Sequence, residues 1–213
     1  MSAPVGSGVW LHPLFGAEPN IGCCLALKTF RTFDPGRAGP GGRTLLPMQL
    51  TRTHDYDAPL ERVIDMLGDV DATTAKYEGM GHRDVQVLEL EPGPRSLRVR
   101  TSRVVDVDLP GFAKKVLKPT NTMVQHDEWA AQDDGTWTGT FAVDVQGSPV
   151  HLTGTMRLEP GGDTCTEEIT VDVTVKVPLL GGRIADWAAK NDVDRSLRLE
   201  FELNDRWLAD HPA

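Results

Sequence analysis

The sequence predicts an α+β fold, a strongly bent seven-stranded antiparallel sheet wrapped around one long C-terminal helix. Three observations predict it. Between residues 137 and 177 the chain alternates apolar and polar residues in three successive runs. The turns between those runs bring apolar residues opposite apolar residues in both hairpins. Gly181-Gly182 then opens a single helical pattern that continues to the C-terminus. A bent sheet closed by one helix encloses a space, and an enclosed space implies a ligand.

The alternation is regular. Trp137, Gly139, Phe141, Val143 and Val145 face one way, and Thr138, Thr140, Ala142 and Asp144 the other. The second run sets Val150, Leu152, Gly154, Met156 and Leu158 against His151, Thr153, Thr155 and Arg157. The third sets Ile169, Val171, Val173, Val175 and Val177 against Thr170, Asp172, Thr174 and Lys176. Such patterns mark strands buried on one face only. Folding at residues 146–149 puts Val143 opposite Leu152 and Val145 opposite Val150. Folding at residues 160–163 puts Leu152 opposite Val171 and Val150 opposite Val173. A one-residue slip would turn every apolar side chain to the wrong face, so the agreement predicts a meander.

Taken in chain order, residues 1–47 hold fourteen of the 21 Gly and 15 Pro and show no sustained hydrophobic period. They are expected to form a Gly/Pro-rich, disordered or loosely attached extension. The apolar island at residues 21–27 is too short to span a bilayer, and the stretch lacks the basic start of a secretory signal. Met48 opens the first patterned segment, so a native chain starting there is one expectation, and the folded domain is expected over residues 48–213. Residues 49–56 read as the first strand. Asp57-Ala58-Pro59 starts a short helix with Pro in its first turn and Val63, Ile64, Met66 and Leu67 on its buried side. A second short helix covers residues 72–78 and stops at Gly79 or Gly81. Strands follow over residues 83–91 and 96–106, joined by Pro92-Gly93-Pro94, and over residues 122–131. Asp133-Asp134-Gly135 turns into the Trp137 strand. The closing helix carries Leu180, Ile184, Trp187, Leu197, Phe201 and Leu208 as an apolar stripe, which passes through Asn191 and Asp194. Its length of about 45 Å would cross the open mouth of the sheet.

Composition limits the partners. The chain has 213 residues, 39% hydrophobic and 25% charged, with a net charge of −9, as in soluble globular proteins. Residues 1–47 carry +2, so the remainder carries −11 (−9 less +2). An acidic domain is a poor fit to nucleic acid or to an anionic membrane as main partner. Cys23, Cys24 and Cys165 have neither a disulfide nor a metal spacing, and a cytoplasmic location is the default expectation. His126-Asp127-Glu128 and His54-Asp55 cannot chelate through all their members, because adjacent strand residues point to opposite faces. No metal and no cofactor are expected. Cys165 has no suitably placed His and no Ser occupies a nucleophile turn, so no catalytic nucleophile is assigned and Cys165 reads as a small core residue. Residues 109–119, Leu-Pro-Gly-Phe-Ala-Lys-Lys-Val-Leu-Lys-Pro, are basic and partly apolar. They fit either a transient membrane contact or a short helix packed by its apolar side over a cavity mouth.

Particular segments carry a resemblance. Tyr56-Asp57-Ala58-Pro59, Trp137-Thr138-Gly139, Pro149-Val150 with Gly154-Thr155, the run from Val177 to Ile184 (Val-Pro-Leu-Leu-Gly-Gly-Arg-Ile) and the ending Phe201 to Ala209 resemble the START-like superfamily. This is also called the helix-grip, SRPBCC or birch-pollen-allergen-like fold, and the segments are similar to an uncharacterised actinobacterial family within it. The resemblance covers residues 48–209. It implies an internal cavity, since members of the superfamily bind lipids, sterols, polyketides or plant hormones and some are cyclases or aromatases.

Strand parity selects the polar residues of that cavity. If Val99, Val105 and Val107 face inward, so does Arg103. Met123 and Trp129 likewise turn Gln125 and Asp127 inward. Folding about residues 113–114 brings Arg103 roughly opposite Gln125 and Asp127, with Asn191 and Asp194 approaching from the helix. Buried charges need partners, and the cluster reads either as a cradle for the polar group of an apolar ligand or as a structural ion pair at the rim. Trp129, Phe141, Met156, Val171, Ile184 and Trp187 complete the expected lining. Gly139 and Gly154 either leave room or let the sheet bend. Three functions remain open: a carrier or sensor for a small hydrophobic molecule (lipid, sterol or polyketide-like), a polyketide cyclase/aromatase-like enzyme with Asp127 or Glu167 as general base, and a filled, non-binding domain for protein interaction. The sequence does not indicate an oligomeric state.

Overall fold

Residues 48–212 are described by a computed structural model, and the expectation for residues 1–47 lies outside the described residues. The elements are β1 (Met48–Tyr56), α1 (Leu60–Leu67), α2 (Val70–Gly79), β2 (Arg83–Gly93), β3 (Ser96–Asp106), β4 (Thr120–Ala131), β5 (Trp137–Val145), β6 (Val150–Pro160), β7 (Cys165–Val175), α3 (Gly181–Trp187), a π-helical segment (Ala188–Val193) and α4 (Asp194–Asp210). One seven-stranded antiparallel sheet has the order β1-β7-β6-β5-β4-β3-β2. Because β1 and β2 are its two edges, α1 and α2 carry the chain from one edge to the other. This is the α+β helix-grip architecture that the alternation predicts.

One face of the sheet is buried along alternate residues. β3 buries Leu97, Val99, Thr101, Arg103 and Val105, and β7 buries Cys165, Glu167, Ile169, Val171, Val173 and Val175. Arg103 and Glu167 are therefore inside through parity alone. The β5–β6 register is the expected one, with Val143 opposite Leu152. The β6–β7 register differs by two residues: Leu152 pairs with Val173, Val150 with Val175, and Val171 with Gly154. The turn lies one residue later than its sequence suggests. Pro160 stays in the ladder opposite Cys165, the Gly161 N–H donates to the Thr164 carbonyl at 2.8 Å, and Gly162 takes the left-handed φ of 83°. A two-residue shift keeps the same face buried, so parity survives while the pairing changes.

The helices correct two further expectations. Pro59 caps α1 rather than entering its first turn, with extended φ and ψ of −67° and 157°; α2 is capped by Asp69, whose carboxylate accepts the Ala72 N–H at 2.7 Å. The closing helix is continuous, but Ala188–Val193 is π-helical. Its i to i+5 bonding takes in more residues per turn than an α-helix, and the buried face runs through Ile184, Ala185, Ala189, Val193, Leu197, Phe201 and Leu208. Asn191 and Asp194 are off that face. Asn191 is exposed and donates its side-chain amide to the Trp187 carbonyl at 2.9 Å. Asp194 pairs with Arg52 at 2.5 Å and Arg198 at 3.0 Å.

The basic loop after β3 forms two successive hydrogen-bonded turns between Pro110 and Leu117. Leu109 and Ala113 are buried, Phe112 and Leu117 pack against the core, and the Arg183 guanidinium lies 4.0 Å over the Phe112 ring. Its apolar side is thus turned inward, with Lys114, Lys115, Lys118 and Val116 exposed. Among the described residues no helix is long and apolar enough to cross a membrane.

The inward glycines seat aromatic rings. A Cβ at Gly139 would fall 2.8 Å from the Trp129 ring. A Cβ at Gly154 would overlap both the Phe141 ring and the Thr170 carbonyl oxygen. Space left by the missing side chains is therefore filled from the neighbouring strand. Gly154→Ala is expected to lower stability by about 1–3 kcal/mol through this overpacking, read as a reduced urea midpoint at unchanged slope. An unchanged midpoint would show that the ring does not depend on the glycine.

Candidate functional site

The buried face of the sheet does not pack fully against the helices. A cavity of about 570 Å³ remains between the sheet and α2, the π-helical segment and α4. Its apolar wall includes Trp129, Phe141, Val143, Leu152, Met156, Ile169, Val171 and Leu197. Nine of the ten residues expected from the sequence line it: Arg103, Gln125, Asp127, Trp129, Phe141, Met156, Val171, Trp187 and Asn191. Ile184 does not. It is buried in the core instead, because α3 packs down on β7 and β1.

Polar side chains cross this cavity in three hydrogen-bonded groups. Arg103 is 6% exposed. Its Nη2 donates to Gln125 Oε1 at 2.6 Å and its Nη1 to Thr101 Oγ1 at 3.1 Å. The guanidinium lies 3.9 Å from the centre of the Tyr77 ring, while its Nε is buried without a partner among the described residues. Arg103 pairs in register with Met123, and Thr101 with Gln125, so the Arg103–Gln125 contact is diagonal rather than directly opposite. Gln125 passes the interaction on, its Nε2 donating to Asp127 Oδ1 at 2.9 Å. Asp127 thus reaches Arg103 only through an amide. Burial pushes the Asp127 carboxyl up to about 6, against the pull of Gln125, Lys76 and Arg103.

Lys76 from α2 meets Glu200 from α4 at 2.7 Å. Burial opposes both charges, yet their mutual attraction outweighs it and holds Lys76 above, and Glu200 below, its ordinary range. His82 stacks with Tyr77 at 5.7 Å between ring centres. Burial, with Arg103 adding to it, pushes its imidazole down to about 4, so it is neutral at pH 7.

On the β7 side, Glu167 is 4% exposed and also lines the cavity. Tyr56 donates its hydroxyl to Glu167 Oε2 at 2.6 Å, and Asn204 donates to the Tyr56 oxygen at 3.0 Å. Burial, reinforced by Glu200, pushes the Glu167 carboxyl up to about 7, while the Tyr56 hydrogen bond and Lys76 work in the opposite direction. Cys165 is buried and its thiol is pushed up to about 12 by burial, as befits an inert core residue.

Sequence reasoning did not bring Lys76, Tyr77, His82, Tyr56, Glu200 or Asn204 into the site. Glu200 and Asn204 did leave a signal. They fall at three- and four-residue steps along the stripe of Leu197, Phe201 and Leu208, and a polar residue on an apolar helix face asks for a buried partner. Lys76 left no comparable signal, since the stripe of α2 is weak. Chemically, the cavity offers a cation without a carboxylate partner among the described residues, two carboxyls that change protonation near neutral pH, and a neutral imidazole, all within apolar walls. It can hold an oxygen-bearing group and can exchange protons with it.

Residues 51–208 match the family described as protein of unknown function (DUF2505). The uncharacterised protein Rv0481c of Mycobacterium tuberculosis (strain H37Rv) is 25% identical over 156 residues, covering 65% of this chain and 84% of that one. Two solved structures have the same fold. One is TTHA0849 from Thermus thermophilus, with 17% identity and a TM-score of 0.52, covering 76% of this chain and 99% of that one. The other is the Zhui aromatase/cyclase from Streptomyces sp. R1128, with 16% identity and a TM-score of 0.50, covering 75% and 92%. At such identities the likeness is one of fold.

Glu167 makes stability depend on pH in a defined direction. Its folded value of about 7 lies above the ordinary 4.5, so the folded state retains a proton that the unfolded state has lost, and stability falls as pH rises through this window. Asp127 acts in the same direction and His82 in the opposite one, and both persist in a Glu167→Gln variant. Urea titrations at pH 5 and pH 7.5 are expected to show the variant gaining about 2 kcal/mol on the parent across that interval. A constant difference would place the Glu167 carboxyl at an ordinary value.

Proposed function

The chain belongs to the DUF2505 family, and from that premise we propose that it binds one small, largely apolar molecule in the internal cavity, as a carrier or sensor. The polar group of that molecule is a carbonyl or carboxylate oxygen held by Arg103. The observation that carries the reading is the Arg103 guanidinium: it is buried beside the cavity with no direct carboxylate partner among the described residues. A buried cation in this state is costly, and an oxygen acceptor from a ligand offsets the cost. Gln125 and Asp127 stand beside it as further polar partners, while Trp129, Phe141, Leu152, Met156 and Val171 contribute the apolar wall. The volume of about 570 Å³ is within the usual range of about 300–1,000 Å³ for small-molecule sites.

The open volume weighs against a filled domain used only for protein interaction. The fold shared with an aromatase/cyclase keeps an enzymatic use of the same cavity in view. The proposal is tested by fluorescence titration with 1-aminoanthracene, a neutral apolar probe, followed by displacement with decanoate. Saturable binding of one probe per chain is expected. Leu152→Trp, which fills the cavity, abolishes it. Arg103→Met preserves probe binding but weakens decanoate by about 10- to 100-fold, the value of a charge-assisted hydrogen bond of about 1.5–3 kcal/mol. Binding that is indifferent to Leu152→Trp would remove the cavity as the site.

A further inference from the structure

We infer that the cavity is also a proton-transfer site, with Glu167 as the general base toward an apolar carbon acid such as a ketone. This rests on the binding reading above and adds a reaction to it.

The argument starts from hydrogen-bond direction. Asn204 can only donate through Nδ2, so at 3.0 Å it occupies the Tyr56 oxygen as acceptor. The Tyr56 proton is then directed to Glu167 Oε2, 2.6 Å away. One carboxyl oxygen is thereby fixed in place, and the other has no hydrogen-bond partner among the described residues. Buried carboxylates kept for structure normally satisfy both oxygens or pair with a cation. Glu167 does neither. The groups that bear on it are Tyr56 from β1, Lys76 from α2, Asp127 from β4 and Glu200 from α4. Lys76, the one cation among them, is held by Glu200. A carboxylate oriented on one side, free on the other and set in an apolar cavity has the form of a base, and its titration near neutral pH is consistent with that role.

In the step itself the free oxygen of Glu167 takes the proton from the carbon next to the ligand carbonyl. The C–H electron pair becomes the C=C bond of the enolate, and the carbonyl π pair moves onto oxygen. With a β,γ-unsaturated ketone the enolate is a dienolate. The same proton returns to its γ-carbon on the γ C=C pair, the enolate C=C pair shifts to the α,β position and the oxygen pair re-forms the carbonyl, which completes an isomerisation with nothing consumed. Glu167 is the catalytic residue; Tyr56 and Asn204 are positioning residues.

The test uses the full chain and 5-nitrobenzisoxazole, a small apolar carbon acid. Removal of its C3 proton breaks the N–O bond and forms a nitrile, with the electron pair leaving on the coloured phenolate. Saturable turnover is expected, rising with pH through about 7. Glu167→Gln is expected to lose roughly 100-fold or more in rate while still binding 1-aminoanthracene. Tyr56→Phe removes a hydrogen bond that favours the charged carboxylate, so its rate profile shifts to higher pH rather than vanishing, a displacement that a merely structural role would not produce. No turnover by a parent protein that binds 1-aminoanthracene would overturn the inference alone. Turnover retained in Glu167→Gln, or an inflection near 6 that disappears in Asp127→Asn, would do the same. Failure to bind 1-aminoanthracene at all would overturn both readings.

Discussion

Lys76 and Glu200 meet inside the cavity at 2.7 Å, and both charges of this ion pair act on the two other buried carboxyls there. It joins α2, which crosses the open side of the sheet, to α4, which closes the space from the other end. It also removes from circulation the one flexible cation within reach of the carboxyls. A buried pair gives back in attraction roughly what desolvation costs, so its main effect is on its neighbours. With Lys76 committed to Glu200, it offsets only part of the burial cost of Glu167 and Asp127, and Glu200 adds a negative charge nearby. Arg103 could have compensated Asp127, but Gln125 is interposed between them. The cavity therefore separates its charges instead of cancelling them, which is the condition under which a buried polar group remains available to a ligand.

The apolar part of the site follows another logic. Trp129 and Phe141 are usually read as lining, and they do border the space, yet each ring is seated where a neighbouring residue has no side chain. The glycines set where the aromatic wall stands and so how deep the space reaches.

Much of this was legible in the sequence, for a specific reason. Strand alternation is a local property with a period of about two residues, so the inward placement of Arg103, Gln125, Asp127 and Glu167 follows from residues near them in the chain. The β6–β7 register was not legible to the same precision, because Pro160-Gly161-Gly162-Asp163 admits two turn positions that bury the same face and differ only in partners. Lys76 and Tyr56 were invisible because their roles depend on Glu200 and Glu167, more than one hundred residues away in each case. Asn191 borders the cavity but stays out of the Arg103 cluster, and Asp194 lies off the buried face, for one reason: a stripe drawn at about 3.6 residues per turn cannot anticipate a segment wound differently, and Ala188–Val193 contains no proline or glycine to announce it.

That wide turn has a consequence for how such a cavity changes over evolutionary time. A π-helical segment is the footprint of an extra residue carried within an α-helix. Everything after it is rotated about the helix axis relative to a regular helix, and here everything after it includes Glu200, Phe201 and Asn204. Loss of one residue between Ala188 and Val193 would let the segment relax to an ordinary α-helix, and the roughly 100° removed with that residue would cancel the turn gained by tightening, so α4 would keep its face to the cavity. The side chains presented to the cavity would be retained as a set. A descendant of this chain could in that way shed the wide turn through one short deletion and keep the same interior chemistry.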